Sequence, residues 1–444
     1  MIAKFLALIG VLASICGGVG VCRAQSTRVP EKNRATNTAP SAATAEELDG
    51  DLREMRWTEL EQRVQAMPAG TDRDYFEGML ANREGQEEKS AKLLSEAIPK
   101  LGAKERQRAA RGTATLADDY AKLYRYKDAT EEYTILKKYA ADMDPAEMDE
   151  IKDDTGVLAV MSDYPPQKIE RGAAERVKTQ RSAIGTIDAT LKVNGVEGDW
   201  ILDTGANLSC VTKSFAKRLG LKVSEAAGQT KGGTNGLENP VHLALLPELD
   251  FAGAKIRNVV VMVFDDANLN INLGEGKTYQ IEGIIGYPVF RALGASTFAK
   301  DGYFEAREAR QGAGFSRIFM NRLNVLVQGE VERKKLLFSF DTGASDSEFT
   351  KKYFDAFPGQ FKDLKSKDMD TGGAGGTTHY VAYELPTARM EIGGEDVELS
   401  KVMVLTSLVG TGLDELYGNL GQDLIGQFGS FTVDFGRMRF SLEK

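Results

Sequence analysis

Histidine and cysteine are scarce in this sequence. Its 444 residues include 2 His and 3 Cys, and two of the cysteines, Cys16 and Cys22, lie in an apolar stretch near the N-terminus. Cys210 is the only other cysteine, so a framework of intrachain disulfides is excluded and a zinc site of His and Cys ligands is nearly excluded. A serine or cysteine nucleophile with a histidine base would need His242 or His379, and neither lies in a recognisable setting. We therefore expect chemistry from carboxylates, hydroxyls, lysines or backbone groups, with no metal and no cofactor.

The first 24 residues have the pattern of a signal peptide. Lys4 precedes an uncharged apolar run over 5–22, and small residues at the −3 and −1 positions predict cleavage after Ala24. An uncleaved membrane anchor is the alternative, although the run is short for a span and rich in glycine. The pattern predicts export to the periplasm or secretion from a bacterial cell. The polar segment 25–45, rich in Ala, Thr and Pro, predicts a flexible linker.

The charge balance is acidic. The net charge is −9, and removal of Lys4 and Arg23 with the signal peptide makes it two units more negative. An acidic chain is a poor partner for nucleic acid or for an anionic membrane surface. We therefore expect neither as a main partner, and no membrane association beyond the signal segment.

Residues 46–165 consist mainly of strong helix formers, with apolar residues at spacings of three and four. Two stretches that begin at Tyr75 and Leu116 repeat a helix, a polar turn and a second helix at a period of about 40 residues. The repeat resembles tetratricopeptide-like helical hairpins, and a generic helical bundle is the alternative. Such a region favours docking of a protein partner over chemistry, and a removable pro-segment is a third interpretation.

From about residue 178 the sequence changes to short β-rich runs, and one motif occurs twice. An apolar strand leads into Asp203-Thr204-Gly205-Ala206, and another leads into Asp341-Thr342-Gly343-Ala344. A Gly-rich loop follows each motif, with Gly232 and Gly233 in the first copy and Gly372 and Gly373 in the second. A second motif then follows, with Ile284, Ile285 and Gly286 in the first copy and Asn419, Leu420 and Gly421 in the second. The Asp residues are 138 positions apart and the last glycines are 135 apart, so the segment is an internal duplication.

These landmarks resemble those of the pepsin and retropepsin families of aspartic peptidases, and are most similar to bacterial retropepsin-like domains. The resemblance covers about 60% of the chain (178–444). It implies that Asp203 and Asp341 are catalytic, that the Thr, Gly and Ala residues after each Asp form the active-site loops, and that the Gly-rich loops are flaps. Asn419 departs from the pattern because it replaces an apolar residue, which places the local packing of the second copy in question.

The residue types suit this chemistry. Two carboxyl groups held together in a low-dielectric cleft cannot both ionise, so they share one proton and titrate as a pair. The ionised member can take a proton from water while the protonated member donates to a substrate carbonyl. A third Asp-Thr-Gly sequence at 370–372 follows a charged stretch rather than an apolar strand, so we interpret it as part of the second flap.

The sequence therefore predicts a multidomain α + β chain. The predicted all-α region at 46–165 precedes two all-β retropepsin-like lobes at 178–310 and 315–444. The predicted function is that of an aspartic endopeptidase acting on a peptide or an unfolded protein, and the alternative is a non-catalytic peptide-binding scaffold. Pairing of the two lobes within one chain is favoured, and pairing between two chains stays open.

Overall fold

The computed structural model describes residues 43–143, 155–231, 238–274, 276–373, 376–408 and 412–444. The predicted signal peptide, nearly all of the predicted linker, and the flap residues Gly232 and Gly233 lie outside these ranges. The described residues form an N-terminal helical region followed by a larger β-rich region.

The helical region begins at a capping box. The Thr44 side chain accepts the Glu47 N–H at 3.3 Å, and the Glu47 carboxylate accepts the Thr44 N–H at 2.7 Å, which satisfies two backbone donors at the helix start. The helices of this region are α1 (Ala45–Arg53), α2 (Trp57–Gln65), α3 (Thr71–Arg83), α4 (Glu87–Ala97), α5 (Arg106–Lys122), α6 (Tyr126–Leu136) and α7 (155–161). The predicted repeats fall within two helical hairpins, α3–α4 and α5–α6, and their assignment as tetratricopeptide-like stays a prediction.

The first β unit covers residues 168–305. Its strands are β1 (Lys168–Arg171), β2 (Val177–Lys178), β3 (Gln180–Arg181), β4 (Ile187–Val193), β5 (Val196–Leu202), β6 (Ser209–Thr212), β7 (Gly228–Lys231), β8 (Glu238–Phe251), β9 (Ala254–Phe264), β10 (Asn270–Gly274), β11 (Lys277–Gln280), β12 (Gly283–Ile285), β13 (Ala295–Ala299) and β14 (Tyr303–Glu305). Two helices accompany them, α8 (Lys213–Arg218) and α9 (Tyr287–Leu293).

The second β unit covers residues 316–443. Its strands are β15 (Ser316–Asn321), β16 (Asn324–Val331), β17 (Lys334–Phe340), β18 (Glu348–Phe349), β19 (Ser366–Gly373), β20 (Gly376–Ile392), β21 (Glu395–Leu405), β22 (Gly418–Leu420), β23 (Ser430–Asp434) and β24 (Arg439–Glu443). Its helices are α10 (Lys351–Ala356) and α11 (Gln422–Ile425).

The same strand pairing occurs at the centre of both units. In the first, β12 lies between β5, to which it is parallel, and β6, to which it is antiparallel. In the second, β22 lies in the same way between β17 and β18. The strands β6 and β18 each continue into a parallel pairing, with β9 and β21 respectively. The repeated sequence motifs thus fold into repeated strand arrangements.

One sheet contains strands from both units and joins them. Strand β13 of the first unit pairs antiparallel with β23 of the second over five residues. At its centre, the hydroxyl groups of Thr297 and Thr432 lie 2.8 Å apart, and Phe298 stacks on Phe431 with ring centroids 4.6 Å apart. The predicted closing hairpin is present as β23–β24. The joint between the units is therefore continuous backbone pairing with a shared aromatic core.

The helical region packs on both β units. Trp57 contacts Phe319 edge to face at 5.4 Å, and Arg317 forms ion pairs with Glu61 and Glu84 at 2.7 and 2.6 Å. Toward the first unit, the hydroxyl of Tyr124, which follows the end of α5, donates a long hydrogen bond of 3.4 Å to the Pro288 carbonyl. In the described part of the chain, no helix combines the length and the apolar character that a membrane crossing needs.

Candidate active site

The two predicted catalytic carboxyl groups lie at the ends of equivalent strands. Asp203 follows β5 and Asp341 follows β17, and both residues have 0% of their surface exposed. The N–H of Asp203 donates to the Ile285 carbonyl and the N–H of Asp341 donates to the Leu420 carbonyl, each at 3.0 Å. The strands that carry the second motif, β12 and β22, therefore hold the start of each active-site loop.

Each Asp is also bonded to the turn that follows it. The N–H of Gly205 donates to Oδ1 of Asp203 at 2.8 Å, and the N–H of Gly343 donates to Oδ1 of Asp341 at 2.7 Å. The turns also touch the opposite carboxyl group. A methyl group on Gly205 would lie 2.8 Å from Cγ of Asp341, and one on Gly343 would lie 2.9 Å from Oδ2 of Asp203. Only glycine fits this close approach, and the structure brings the two loops into direct contact.

The two threonines interlock the loops. The N–H of Thr204 donates to the Thr342 hydroxyl at 3.0 Å, and the N–H of Thr342 donates to the Thr204 hydroxyl at 3.2 Å. Each hydroxyl then donates to a carbonyl of the opposite unit, Thr342 to Leu202 at 2.8 Å and Thr204 to Phe340 at 3.3 Å. Four buried hydrogen bonds within one chain therefore fix the distance between the two Asp residues.

The pair of carboxyl groups is not symmetric. The Asp203 and Asp341 side chains lie close together, since a methyl group on Gly343 would be 2.9 Å from Oδ2 of Asp203 and 3.0 Å from Oδ1 of Asp341. Nδ2 of Asn419 donates to Oδ2 of Asp341 at 3.2 Å. Among the described residues, no group outside the pair donates to Oδ2 of Asp203. Burial raises the pKa of Asp203 well above its usual range, and the neighbouring Asp341 raises it further. Burial also raises the pKa of Asp341, but the Asn419 amide is the largest of the groups that oppose this rise. The Asn419 hydrogen bond therefore favours ionisation of Asp341 over that of Asp203.

Sequence reasoning did not identify the contact that Asn419 makes with Asp341. Its position matches Ile284 of the first unit, since Ile284 pairs with Ile201 in β5 and Asn419 pairs with Ser339 in β17. Asn419 is 7% exposed, and its Oδ1 accepts no hydrogen bond from any described residue. Asn419, which replaces an apolar residue of the motif, thus supplies an amide donor to the Asp341 carboxyl group but leaves its own buried Oδ1 without a described donor.

The glycines of the second motif support the loops by close approach. A methyl group on Gly286 would lie 2.7 Å from the Ala206 carbonyl oxygen, and one on Gly421 would lie 2.8 Å from that of Ala344. These two carbonyls accept the N–H groups of the following residues, Tyr287 at 2.8 Å and Gln422 at 2.9 Å. The second motif therefore fixes the far end of each active-site loop.

Two serines that sequence reasoning missed complete this support. The hydroxyl of Ser209 accepts the Gly286 N–H at 3.1 Å, and that of Ser347 accepts the Gly421 N–H at 3.0 Å. Both serines are the sixth residue after the Asp of their copy, so the shared offset of 138 was a signal that could have found them.

The remaining candidates lie on strands outside the two Asp-Thr-Gly-Ala loops. Gly372 and Gly373 end strand β19 in the hairpin with β20, where Asp370 of the third Asp-Thr-Gly sequence pairs with His379. His242 lies on β8 with Nδ1 3.0 Å from the Ser224 carbonyl oxygen. Cys210 is fully buried on β6, and burial raises its pKa well above the usual range. Within the described ranges, no group of three or more His, Cys, Asp or Glu side chains could hold a metal ion.

Comparison with known proteins finds a family match within the first β unit. Residues 189–289, which include Asp203 and Gly286, match the sequence profile of an aspartyl protease family. Among solved structures, a retropepsin-like aspartic protease from Rickettsia conorii is similar at 17% identity and a TM-score of 0.20, over 31% of this chain and 91% of that chain. No curated protein sequence matches. The family match supports an aspartic protease fold for the segment that carries Asp203.

Proposed function

We propose that this protein is an aspartic endopeptidase whose catalytic pair is Asp203 and Asp341. The observation that carries the proposal is the contact between two fully buried carboxyl groups, each at the end of a strand and each held by the N–H groups of a glycine turn. Such a pair binds one proton across a wide pH range, which provides an acid and a base side by side.

In the proposed reaction, Asp341 is the base and Asp203 is the acid. A water molecule between the carboxyl groups gives a proton to Asp341 as its oxygen attacks the carbonyl carbon of the substrate. Asp203 gives its proton to the carbonyl oxygen, so a neutral tetrahedral intermediate forms. Asp341 then gives its proton to the amide nitrogen, and one hydroxyl of the intermediate gives its proton to Asp203 as the C–N bond breaks, which releases a carboxylic acid and an amine. The Asn419 hydrogen bond supports this assignment because it stabilises the ionised form of Asp341.

The proposed substrate is a peptide or an unfolded protein segment in an extended conformation. The β19–β20 hairpin, which carries Gly372 and Gly373, is the proposed flap of the second unit. A hairpin of this kind can pair with an extended chain through backbone hydrogen bonds and exclude water from the reacting bond.

We also propose that each chain holds one complete active site. The Thr204–Thr342 hydrogen bonds and the β13–β23 pairing both lie within a single chain, and both support this arrangement. Sedimentation of the active protein tests it, because an active monomer is expected, and activity restricted to a dimer would contradict it. Export through the N-terminal segment 1–24 is part of the proposal, and N-terminal sequencing of protein from the periplasm checks it.

The test of the activity is a matched set of three substitutions. Asp203→Asn and Asp341→Asn each remove one acid–base group, so cleavage of an unstructured protein should fall by about 10²–10⁴-fold in each variant. The control is Asp355→Asn, which changes an exposed carboxylate on α10, and it should retain cleavage. Equal turnover in wild type and either dyad variant would refute the mechanism. If wild type binds peptides but cleaves none between pH 3 and 9, the protein is a peptide-binding scaffold instead.

A further inference from the structure

A small cavity lies between the helical region and the second β unit. Its volume is about 120 Å³ with open solvent left out. Helices α1, α3 and α5 form one side of the cavity, and the end of β15, the turn after it and Glu415 form the other side. A space of this size holds several water molecules or one small polyatomic ion.

The lining of this cavity carries more positive than negative charge. Its charged side chains are four arginines and two carboxylates, namely Arg53, Arg83, Arg111, Arg322, Asp118 and Glu415. By formal charge the lining therefore has a surplus of two positive charges. Asp118 is also engaged elsewhere, since its Oδ2 pairs with Lys122 at 2.6 Å and accepts the Asn82 amide at 2.7 Å. A lining of this kind is suited to an anion.

Arg83 is the residue that most directly indicates a ligand. Its Nη1 donates to Oδ1 of Asn82 at 2.8 Å, and its guanidinium lies 5.6 Å from the centre of the Trp57 ring. Its Nε is buried and meets no acceptor among the described residues. Burial lowers the pKa of Arg83, and although Asp118 opposes this fall, the nearby Arg322 adds to it. A buried donor without an acceptor, close to a second guanidinium, is costly unless an anion binds there.

Arg111 on α5 also has donors to offer a ligand. Its Nη1 is 3.4 Å from Oδ1 of Asp49, which is long for a hydrogen bond. The other oxygen of the same carboxylate is bound more closely by Arg108, at 2.8 Å. A guanidinium has five N–H donors, and Asp49 engages few of those on Arg111. The helical side of the cavity thus presents two arginines that can each donate to an anion.

We propose that this cavity binds a doubly charged tetrahedral oxyanion of the size of phosphate. A charge of minus two matches the surplus on the lining, and arginine is well suited to such oxygens because it presents paired N–H donors. The volume fits the free ion rather than a larger phosphorylated molecule. Arg83 and Arg111 belong to the helical region and Arg322 to the second β unit, so the bound anion joins the two. This inference does not depend on the proposed peptidase function.

Calorimetry with inorganic phosphate tests the site. The full chain is titrated at about pH 8 in Tris chloride at constant ionic strength, and we expect one saturable site per chain. Arg83→Met keeps an apolar side chain next to Trp57 but removes the guanidinium, so phosphate should bind at least tenfold more weakly. The control is Arg389→Met, which removes the same charge from a side chain that is 80% exposed on β20. It should bind phosphate within about twofold of wild type.

Thermal unfolding separates a ligand site from an arginine with a purely structural role. Phosphate should raise the Tm of wild type and of Arg389→Met, because it binds the folded state, but not that of Arg83→Met. If Arg83→Met responds to phosphate as wild type does, whatever its own Tm, the site is overturned. Should that variant fail to fold, Arg111→Met provides the same test at a side chain that is 25% exposed.

Two other anions test the chemistry of the ligand. Sulfate has the shape and charge of the proposed ion and should bind within about threefold of phosphate, whereas acetate carries one charge and should bind at least tenfold more weakly. Absence of saturable phosphate binding to wild type would overturn the site, and acetate binding as tightly as phosphate would overturn the assignment of a doubly charged ion. None of these measurements uses peptide cleavage, so failure of this site and failure of the proposed peptidase function are distinguishable.

Discussion

Replacement of Asn419 by leucine tests the assignment of acid and base within the pair. Leucine has nearly the same shape as asparagine but lacks the amide that donates to Oδ2 of Asp341 at 3.2 Å. A hydrogen bond to a charged group contributes about 1.5–3 kcal/mol, and each pKa unit corresponds to about 1.4 kcal/mol. Since the bond is long, we expect the lower end of this range, which is a rise of about one unit in the pKa of Asp341.

The sign of the change identifies the base. Activity requires ionised Asp341, so the acid limb of the pH profile of kcat/KM should move to higher pH by about one unit in Asn419→Leu. The alkaline limb reports loss of the proton from Asp203 and should stay in place. The assay is cleavage of a chromogenic peptide across the pH range, with the free energy of unfolding measured in urea. Stability should be unchanged or higher, because the variant also removes the buried Oδ1 that has no described donor.

The matched variant is Ile284→Asn, which places an amide at the equivalent position of the first unit. It should lower the pKa of Asp203 and move the alkaline limb to lower pH. An acid limb that moves by less than about 0.3 units in Asn419→Leu would refute the role of this hydrogen bond. Movement of the alkaline limb alone in that variant would reverse the assignment, with Asp203 as the base.

Two further predictions concern stability. Thr342→Val keeps the side-chain shape but removes the hydroxyl that bonds the Thr204 N–H and the Leu202 carbonyl. The free energy of unfolding, measured in urea, should therefore fall by about 2–5 kcal/mol. A fall of less than about 1 kcal/mol would contradict the role of these hydrogen bonds in joining the loops. Burial raises the pKa of Asp119 from 3.8 to about 7. The folded state therefore binds a proton that the unfolded state has lost between pH 4 and 7, and the free energy of unfolding should fall by up to about 4 kcal/mol as the pH rises through this window. Asp119→Asn should flatten that slope, and an unchanged slope would show that another group causes it.

The duplicated motif made the two Asp-Thr-Gly-Ala loops and the strands before them predictable from the sequence. An apolar strand before Asp-Thr-Gly-Ala, found twice with the later glycines at nearly the same period, identified Asp203 and Asp341 before any geometry was known. Local patterns were enough here because each loop is built from residues close together in its own copy. The family match over 189–289 covers the first of these loops.

The charged residues of the helical region could not be interpreted in the same way. A Glu-rich helix start predicts a solvated face, yet Glu87 is 3% exposed and pairs with Arg291 at 2.7 Å, more than two hundred residues away. Arg317 reaches Glu84 across a similar separation. Whether a charged side chain faces solvent or a distant partner depends on how the regions dock, and periodicity carries no information about docking.

The same limit applies to Asn419. From the sequence it was an exception in an apolar motif, because the identity of its neighbour depends on which strands are adjacent. Only the parallel pairing of β22 with β17 places its amide next to Asp341.

The sheet that joins the two β units also bears on how the halves could diverge. Thr297 and Thr432, 135 positions apart, face each other at the centre of the β13–β23 pairing and so lie where a two-fold axis would pass. In a dimer of identical chains, any residue beside one carboxyl group is repeated beside the other, so the proton has no built-in preference. Linking both halves in one polypeptide removes that constraint, since one half can hold Ile284 while the other holds Asn419. A single chain can therefore inherit a fixed acid and a fixed base, whereas a symmetric dimer must have them assigned by each bound substrate.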